Sequence, residues 1–393
     1  MIPKGFLFAG ARCGLKNKRN DVGILLSDRP ARAAGVFTSN HVHAACVDFS
    51  RAAVARGSLR AVVVNSGNAN CCTGLQGERD NARMAALAAE ALGVGVEEVA
   101  TASTGVIGQL LDMSKVERGV CEAAEKLGAD PKPFMDAILT TDLVEKWALW
   151  AHGELYQTGA PAVPYGGPCI YGVCKGSGMI APNMATMLAF VATDYDTSEI
   201  DLQACLKRAA EVSFNCMTVD GDTSTNDMLL VLANGASEVK PDPARFEEEL
   251  RQVFTSLAKQ VARDGEGATK LVEVRVTGTD DPKKIARTIA ESPLVKTAMF
   301  GCDPNWGRIL MAAGRAGVPF EQKDILLCVT AGGEEFPLFE NAAPAPFDPK
   351  RVSAALKTDH VLIDLRLGEG ETATVYTCDY SYGYIRINAE YHT

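Results

Sequence analysis

Positive charge, histidine and long apolar runs are all scarce in this 393-residue sequence, and each scarcity excludes a class of protein. Lysine and arginine total 39 against 49 aspartate and glutamate residues, a net charge of −10, so no overall positive field would attract a nucleic acid. No apolar run approaches the roughly 20 residues that a membrane span needs, so we expect a cytoplasmic protein without membrane segments. Five histidines, and twelve cysteines without a Cys-x-x-Cys pair, offer few zinc ligands, and we expect no metal.

Short strand and helix patterns alternate along most of the chain. Apolar runs bounded by turn residues predict strands at 22–26, 34–37, 61–64, 187–192, 271–276, 325–329, 361–365, 372–376 and 384–387. Apolar periodicity and capping residues predict helices at 77–92 (with Gly93 after its end), from a capping box at Ser114 to about Leu127, from the N-cap Asp242 to about Ala262, and at 282–290. The sequence therefore predicts a mixed α/β protein with a domain boundary between about 278 and 295.

One segment, Lys175–Phe190, combines glycines, a proline and a strand pattern in an unusual way. Gly176, Gly178 and Ala181 fit the spacing of a dinucleotide-binding loop, but Pro182 and a strand follow where that loop needs a helix. Thr186 stands where the irregular stretch meets the strand, which suits a hydroxyl nucleophile held by rigid backbone. Because threonine is also an ordinary strand residue, the segment alone leaves both readings of Thr186 open.

The run Asp220–Asp227 is rich in oxygen ligands and invites comparison with a calcium loop. It lacks the glycine at the sixth position of an EF-hand loop, and Val231 stands where the loop needs glutamate. We interpret it as a hydrogen-bonded loop.

Several motifs, taken together and in order, resemble those of the glutamate N-acetyltransferase / ornithine acetyltransferase family of arginine biosynthesis. The resemblance covers nearly the whole chain, and its strongest part is the Lys175–Phe190 segment, which is similar to that family's self-cleavage motif. The other motifs that carry it are Val63–Asn70, Ala102–Gly108, Thr218–Asp227, Asp264–Lys270, Asp303–Arg308 and Ile387–Tyr391.

The resemblance implies a role for particular residues. The bond between Ala185 and Thr186 would break autocatalytically, and the freed Thr186 would serve as a covalent nucleophile whose own α-amino group acts as base. Thr104 and Gly105 would form the oxyanion hole. The implied substrate contacts are Thr141, Lys175, Thr186, Glu266, Asn388 and Thr393. After Thr141 and Asp142 this chain departs from the common family pattern, so Thr141 is the least secure of these contacts.

The resemblance also implies a fold and a reaction. We expect an αββα sandwich in residues 1–280 and a smaller α/β domain in residues 281–393, with self-cleavage giving an α chain, 1–185, and a β chain, 186–393. The expected reaction moves an acetyl group from N-acetylornithine to glutamate by a ping-pong route. It needs no cofactor, although acetyl-CoA is a further candidate donor. The expected assembly is a heterotetramer of two α and two β chains.

Two other functions stay open at the level of sequence. Proteins of similar fold use an N-terminal nucleophile for hydrolysis, so an aminopeptidase or amidase is the nearest alternative. A non-catalytic binding protein that keeps the scaffold is the other.

Overall fold

The computed structural model describes residues 2–157, 167–181 and 187–390. The strands within these ranges are β1 Phe6–Ala11, β2 Val22–Phe37, β3 Ser58–Asn68, β4 Val99–Val106, β5 Lys146–Ala151, β6 Glu154–Tyr156, β7 Cys169–Lys175, β8 Leu188–Thr193, β9 Met228–Ala233, β10 Leu271–Thr277, β11 Leu326–Ala331, β12 Glu334–Glu340, β13 Ala343–Pro344, β14 His360–Arg366 and β15 Thr372–Cys378. The α-helices are α1 Ala45–Val54, α2 Gly74–Leu92, α3 Met113–Glu125, α4 Lys132–Ile138, α5 Leu202–Glu211, α6 Pro243–Arg263, α7 Pro282–Ala290, α8 Pro293–Phe300, α9 Trp306–Gly314, α10 Pro349–Ala355 and α11 Tyr382–Glu390.

The long strand β2 belongs to two layers of sheet at once. Its first part, Val22–Leu26, pairs with β1 and β3, and its last part, Arg32–Phe37, pairs with β9. The register with β3 shifts between Leu26 and Ala31, where the strand passes from one layer to the other. The full hydrogen-bonded order is β4-β3-β2-β9-β8-β7-β5-β6, with β1 beside β2. The two predicted strands at 22–26 and 34–37 are therefore one continuous strand.

The two layers pack face to face, and helices cover both outer faces. One core cluster joins alternate residues of β3 and β4, such as Val62 and Ala102, to alternate residues of β8 and β9, such as Phe190 and Leu230. The residues of β3 that point the other way pack against α2 and α3. Those of β8 and β9 pack against α5 and α6. Because strand side chains alternate between faces, this division defines the predicted αββα sandwich.

A second sheet has its own core. Its order is β13-β12-β11-β14-β10-β15, and its apolar residues pack against α7, α9 and α10. The strand β15 also joins the two units, because Tyr376 and Cys378 contribute to the core between α5 and α6 of the sandwich. The chain thus has a smaller α/β unit towards its end, and the domain boundary at residue 280 stays a prediction.

Capping signals located several helices well. Gly93 ends α2 in the left-handed conformation, with φ 65°, as its position after the helix predicts. The Asp242 side chain accepts a hydrogen bond from the backbone N–H of Arg245 at 2.9 Å, and α6 begins at Pro243. The predicted helix at 282–290 coincides with α7.

Two local predictions were wrong. The residue that caps α3 is Asp112 rather than Ser114, because the Asp112 carboxylate accepts a hydrogen bond from the backbone N–H of Lys115. The helix therefore begins at Met113, before Ser114. Residues 384–387, predicted as a strand, lie in α11. Ser381 accepts a hydrogen bond from the backbone N–H of Gly383 at 2.9 Å and so starts a helical turn, which overrides the apolar alternation that follows.

Candidate active site

A cavity of about 440 Å³ opens where the ends of β4 and β7 meet the loops around residues 141, 222 and 266. Six of the predicted site residues line it, from five separate parts of the sequence: Thr104, Gly105, Thr141, Lys175, Glu266 and Asn388. The predicted residues Ala185, Thr186 and Thr393 lie outside the described residues.

Thr104 and Gly105 lie near the end of β4, against the parallel strand β3. Gly105 has φ +134°, and a Cβ atom there would lie 2.3 Å from the carbonyl carbon of Gly67, so only glycine fits this close approach. The Thr104 hydroxyl accepts a hydrogen bond from the Lys175 ammonium at 3.2 Å. The arrangement places a hydroxyl, a backbone N–H without side-chain hindrance and a buried cation on one wall of the cavity.

Lys175 ends β7 and is buried in spite of its charge. Burial lowers the pKa of its ammonium below the ordinary value of 10.5, although the nearby carboxylate of Asp142 acts in the opposite direction. Among the described residues, none of the carboxylates lies within the 4.0 Å ion-pair distance of Lys175. A carboxylate on a substrate would supply the missing partner.

A cluster of buried charges lies directly behind Lys175. The ammonium of Lys146 contacts Asp142 at 2.7 Å and Asp264 at 2.5 Å, and the Lys146 side chain is fully buried. Burial alone would raise the pKa of Asp142, but Lys146 and Lys175 together hold it below its usual range. Asp142 also accepts from the backbone N–H of Gly176 at 2.7 Å. This cluster therefore fixes the chain on either side of two cavity residues, Thr141 and Lys175.

Glu266 brings a carboxylate to the lining of the cavity. Its Oε2 atom accepts a hydrogen bond from the Asn388 side chain at 2.8 Å, which ties α11 to the site. Gly178 makes room for this carboxylate, since a Cβ atom at that position would lie 2.4 Å from the Glu266 Cδ. The cavity lining thus carries one cation, Lys175, and three carboxylates, those of Asp220, Asp222 and Glu266.

The loop that follows residue 217 also lines the cavity, and sequence reasoning missed its part in the site. Asp220 accepts from the backbone N–H groups of Met179 at 2.6 Å and Ile180 at 2.8 Å, and so holds the segment that leads towards residue 182. Further along the loop, Asn226 is buried and lines the cavity. The run was expected to be a hydrogen-bonded loop, as it is. The high content of Asp, Thr and Asn in this run was the sequence signal that it could also line a polar cavity.

The register of the sheet relates Lys175 to the chain that follows Thr186. Lys175 pairs with Leu188 in the antiparallel ladder of β7 and β8. Leu188 in turn pairs with Met228 in the parallel ladder of β8 and β9. Leu188 is two positions after Thr186 in the sequence, so β8 begins at the same edge of the sheet as the cavity.

Two features are absent from the described ranges. No helix there is long and apolar enough to cross a membrane. No group of three or more His, Cys, Asp and Glu side chains in those ranges could hold a metal ion.

Comparisons with known proteins agree on one family. The model of the ArgJ family matches residues 7–393. The chain is 46% identical to the arginine biosynthesis bifunctional protein ArgJ 1 of Nostoc sp., covering 100% of this chain and 97% of that protein. It is 44% identical to the arginine biosynthesis bifunctional protein ArgJ of Listeria monocytogenes, covering 100% of this chain and 98% of that protein. A crystal structure of ornithine acetyltransferase complexed with ornithine, from Mycobacterium tuberculosis, is 36% identical with a TM-score of 0.42, over 47% of this chain and 94% of that one.

Proposed function

Because this chain belongs to the ArgJ family and is an enzyme of arginine biosynthesis, we propose that it transfers the acetyl group of N-acetylornithine to glutamate through an ester on Thr186. The observation that carries this proposal is the cavity lined by Thr104, Gly105, Lys175 and Glu266. These residues come from three separate parts of the sequence, and the proposed chemistry needs all of them at one place.

The first proposed step is self-cleavage. The Thr186 hydroxyl attacks the carbonyl carbon of Ala185, the C–N bond breaks as the ester C–O bond forms, and the released nitrogen takes the proton. Water then hydrolyses the ester, which leaves a carboxylate on Ala185 and a free α-amino group on Thr186. That amino group has an ordinary pKa of about 7.7 to 8.0, so it can accept a proton from its own hydroxyl near neutral pH.

The second proposed step is acetyl transfer. The Thr186 hydroxyl attacks the acetyl carbonyl of N-acetylornithine, the amide C–N bond breaks, and the departing amine of ornithine takes the proton. The α-amine of glutamate then attacks the acetyl ester, the C–O bond breaks, and the Thr186 hydroxyl regains a proton. Whether acetyl-CoA also donates depends on which thioesters the cavity admits.

Thr104 and Gly105 are proposed to stabilise the oxyanion that forms in both steps. The Thr104 hydroxyl and the Gly105 N–H are donors, and the Lys175 ammonium beside Thr104 adds positive charge to the same wall. Removal of one such donor typically costs about 100- to 1000-fold in turnover. A buried wall strengthens these interactions because the local dielectric constant is low.

Two of the four charged residues that line the cavity, Lys175 and Glu266, are proposed to select an amino acid. Lys175 would pair with a substrate carboxylate and Glu266 with an ammonium group, a combination that suits both ornithine and glutamate. Thr141 and Asn388, which also line the cavity, are proposed to add polar contacts, and Thr393 is proposed as a further contact.

The two chains made by self-cleavage are proposed to stay together. β7 of the α chain pairs with β8 of the β chain, and β2 pairs with β9, so two strand ladders cross the cleavage point. Pairing of two α and two β chains into a heterotetramer, in the cytoplasm, remains part of this proposal.

Mass spectrometry of three proteins tests the proposal. Wild type should appear as two fragments that divide between residues 185 and 186, and Thr186→Ala should remain one inactive chain. Thr186→Ser should split, and the fragment that starts at residue 186 should gain an acetyl group after incubation with N-acetylornithine. Addition of glutamate should remove that group. An active wild type that never carries acetyl on Thr186 would exclude covalent transfer, and release of acetate at a rate independent of glutamate would indicate a hydrolase instead.

A further inference from the structure

Asn226 joins both layers of the sandwich next to the cavity. Its side-chain amide donates to the carbonyl oxygens of Ala69 at 2.7 Å and Ser103 at 2.8 Å. Its oxygen accepts from the Thr225 hydroxyl at 2.5 Å. Ala69 follows β3, Ser103 lies in β4 immediately before Thr104, and Asn226 precedes β9. One buried side chain therefore links two strands of the first layer to a strand of the second.

We propose that Asn226 is a positioning residue that sets the distance between the oxyanion pair and the strand that follows Thr186. This proposal rests on the acetyl transfer proposed above, in which Thr104 and Gly105 bind the oxyanion. Asn226 contacts neither the oxyanion nor the nucleophile in this role. It acts through the backbone carbonyls of Ala69 and Ser103 in one layer and through its own backbone, which leads into β9, in the other.

An unbroken series of bonds connects the two catalytic regions through Asn226. On one side, Asn226 holds the carbonyl of Ser103, one residue before Thr104. On the other side, two residues after Asn226, the backbone N–H of Met228 donates to the carbonyl of Met187 at 2.8 Å. Met187 directly follows Thr186 in the sequence. Two hydrogen bonds and the three residues 226–228 thus connect Ser103, which precedes Thr104, to Met187, which follows Thr186.

The first layer is rigid where Asn226 holds it. The Ser103 hydroxyl donates to the Asn65 side chain at 2.7 Å, and Asn65 donates to the carbonyl of Asn68 at 2.8 Å. The backbone N–H of Ala69 donates to the carbonyl of Val106 at 2.9 Å. These bonds fix β3 and β4 to each other. The contact with Asn226 therefore sets the position of both strands relative to β9.

The substitution Asn226→Asp tests the role, because it keeps the shape and removes both N–H donors. A carboxylate there would repel the carbonyls of Ala69 and Ser103 and separate the layers at this point. Oxyanion stabilisation acts mainly in the transition state, so kcat should fall about 10- to 100-fold while KM for N-acetylornithine changes less than about threefold. The rate of self-cleavage should fall in parallel, since both reactions pass through an oxyanion.

Asn234→Asp is the matched control at the other end of the same strand. Asn234 follows β9, is buried, and donates to the carbonyl of Lys4 at 2.9 Å and the hydroxyl of Ser27 at 3.3 Å, away from the cavity lining. Its substitution should alter stability but leave kcat within about twofold of wild type.

The outcomes separate the two proposals. A wild-type protein that transfers no acetyl group refutes the proposed function itself. An active wild type with unchanged kcat in Asn226→Asp refutes the positioning role, and so does a rise in KM alone or an equal loss of kcat in Asn234→Asp. If Asn226→Asp does not fold, Asn226→Ala removes the same donors without adding charge, and the same criterion of lost kcat with KM retained applies to it.

Discussion

Lys146 and Lys175 are two buried lysines at the same end of adjacent strands, and their ammonium groups have different partners. Lys146 pairs in register with Cys174, the residue before Lys175. Two carboxylates contact Lys146 at 2.5 and 2.7 Å, whereas the Lys175 ammonium contacts the hydroxyl of Thr104 at 3.2 Å. Burial lowers the pKa of both ammonium groups, but the carboxylates of Asp142 and Asp264 reverse this effect at Lys146, whose pKa is raised overall.

From this comparison we propose that the charge of Lys146 serves the fold and that the charge of Lys175 serves the site. The charge of Lys146 is satisfied inside the protein, and this ion cluster holds loops that carry cavity residues. The charge of Lys175 is desolvated without an ion-pair partner among the described residues, which costs free energy. A bound carboxylate would offset that cost, so the free energy of binding includes the relief of an unfavourable state.

The largest expected effect is on stability, at Lys146. Lys146→Met removes the cation between two buried carboxylates and leaves both uncompensated, which should reduce the free energy of unfolding by about 3–5 kcal/mol. Urea unfolding monitored by circular dichroism measures the change. Lys259→Met is the control, because Lys259 pairs with Glu273 at 2.8 Å in a partly exposed position and should cost about 1 kcal/mol or less. Equal losses in the two variants would contradict the structural role assigned to Lys146.

The second prediction is that Lys175, unlike Lys146, affects activity rather than stability. Lys175→Met should leave the free energy of unfolding unchanged within about 1 kcal/mol, or raise it, because it removes a buried charge that lacks an ion-pair partner. It should instead lower kcat/KM about 10- to 100-fold, the effect of losing a charged hydrogen bond of about 1.5–3 kcal/mol. Unfolding and steady-state kinetics on one preparation test both halves. A loss of stability as large as that of Lys146→Met would show that Lys175 is structural.

The third prediction concerns pH and the lowered pKa of Lys175. Because the folded pKa lies below the unfolded value of 10.5, the unfolded chain binds more protons as the pH approaches 10.5. The free energy of unfolding of wild type, minus that of Lys175→Met, should therefore rise with pH in the window just below 10.5. One proton limits the slope to about 1.4 kcal/mol per pH unit. A difference that falls with pH over this window would mean that the pKa of Lys175 is raised instead.

Much of the fold was predictable because its signals are local. Gly93 and Asp242 mark helix ends through the backbone geometry and hydrogen bonds of their own neighbourhoods. Whether residues 384–387 form a strand depends instead on a partner strand, and the turn at Ser381 takes the chain into a helix. Likewise, two strand signals at 22–26 and 34–37 do not reveal that one strand serves both layers, since only tertiary packing decides this.

The family resemblance named six residues that line the cavity, and their roles stay predictions; other residues around the cavity had weaker signals. Lys146 lies in the stretch after Asp142 that departs from the common pattern, and nothing in its sequence neighbours indicates that Asp264 approaches from α6. Asn226 was visible only as one amide in a polar loop. Both residues act through contacts more than 100 positions away in sequence, which no local pattern records.

The smallest expected effect is at Asn388, which lines the same cavity as Lys175. Its amide donates to Glu266 Oε2 at 2.8 Å, one hydrogen bond to a carboxylate that already faces the cavity. Asn388→Ala should raise KM for the amino-acid substrates about two- to tenfold, the equivalent of about 0.5–1.5 kcal/mol, and leave self-cleavage intact. Asn388→Asp should raise KM further, because it sets a second carboxylate beside Glu266 and repels it from its position. Steady-state kinetics with N-acetylornithine and with glutamate, together with the fragment pattern on a denaturing gel, measures both changes. An Asn388→Asp variant with the KM of wild type would mean that Glu266 binds no substrate group.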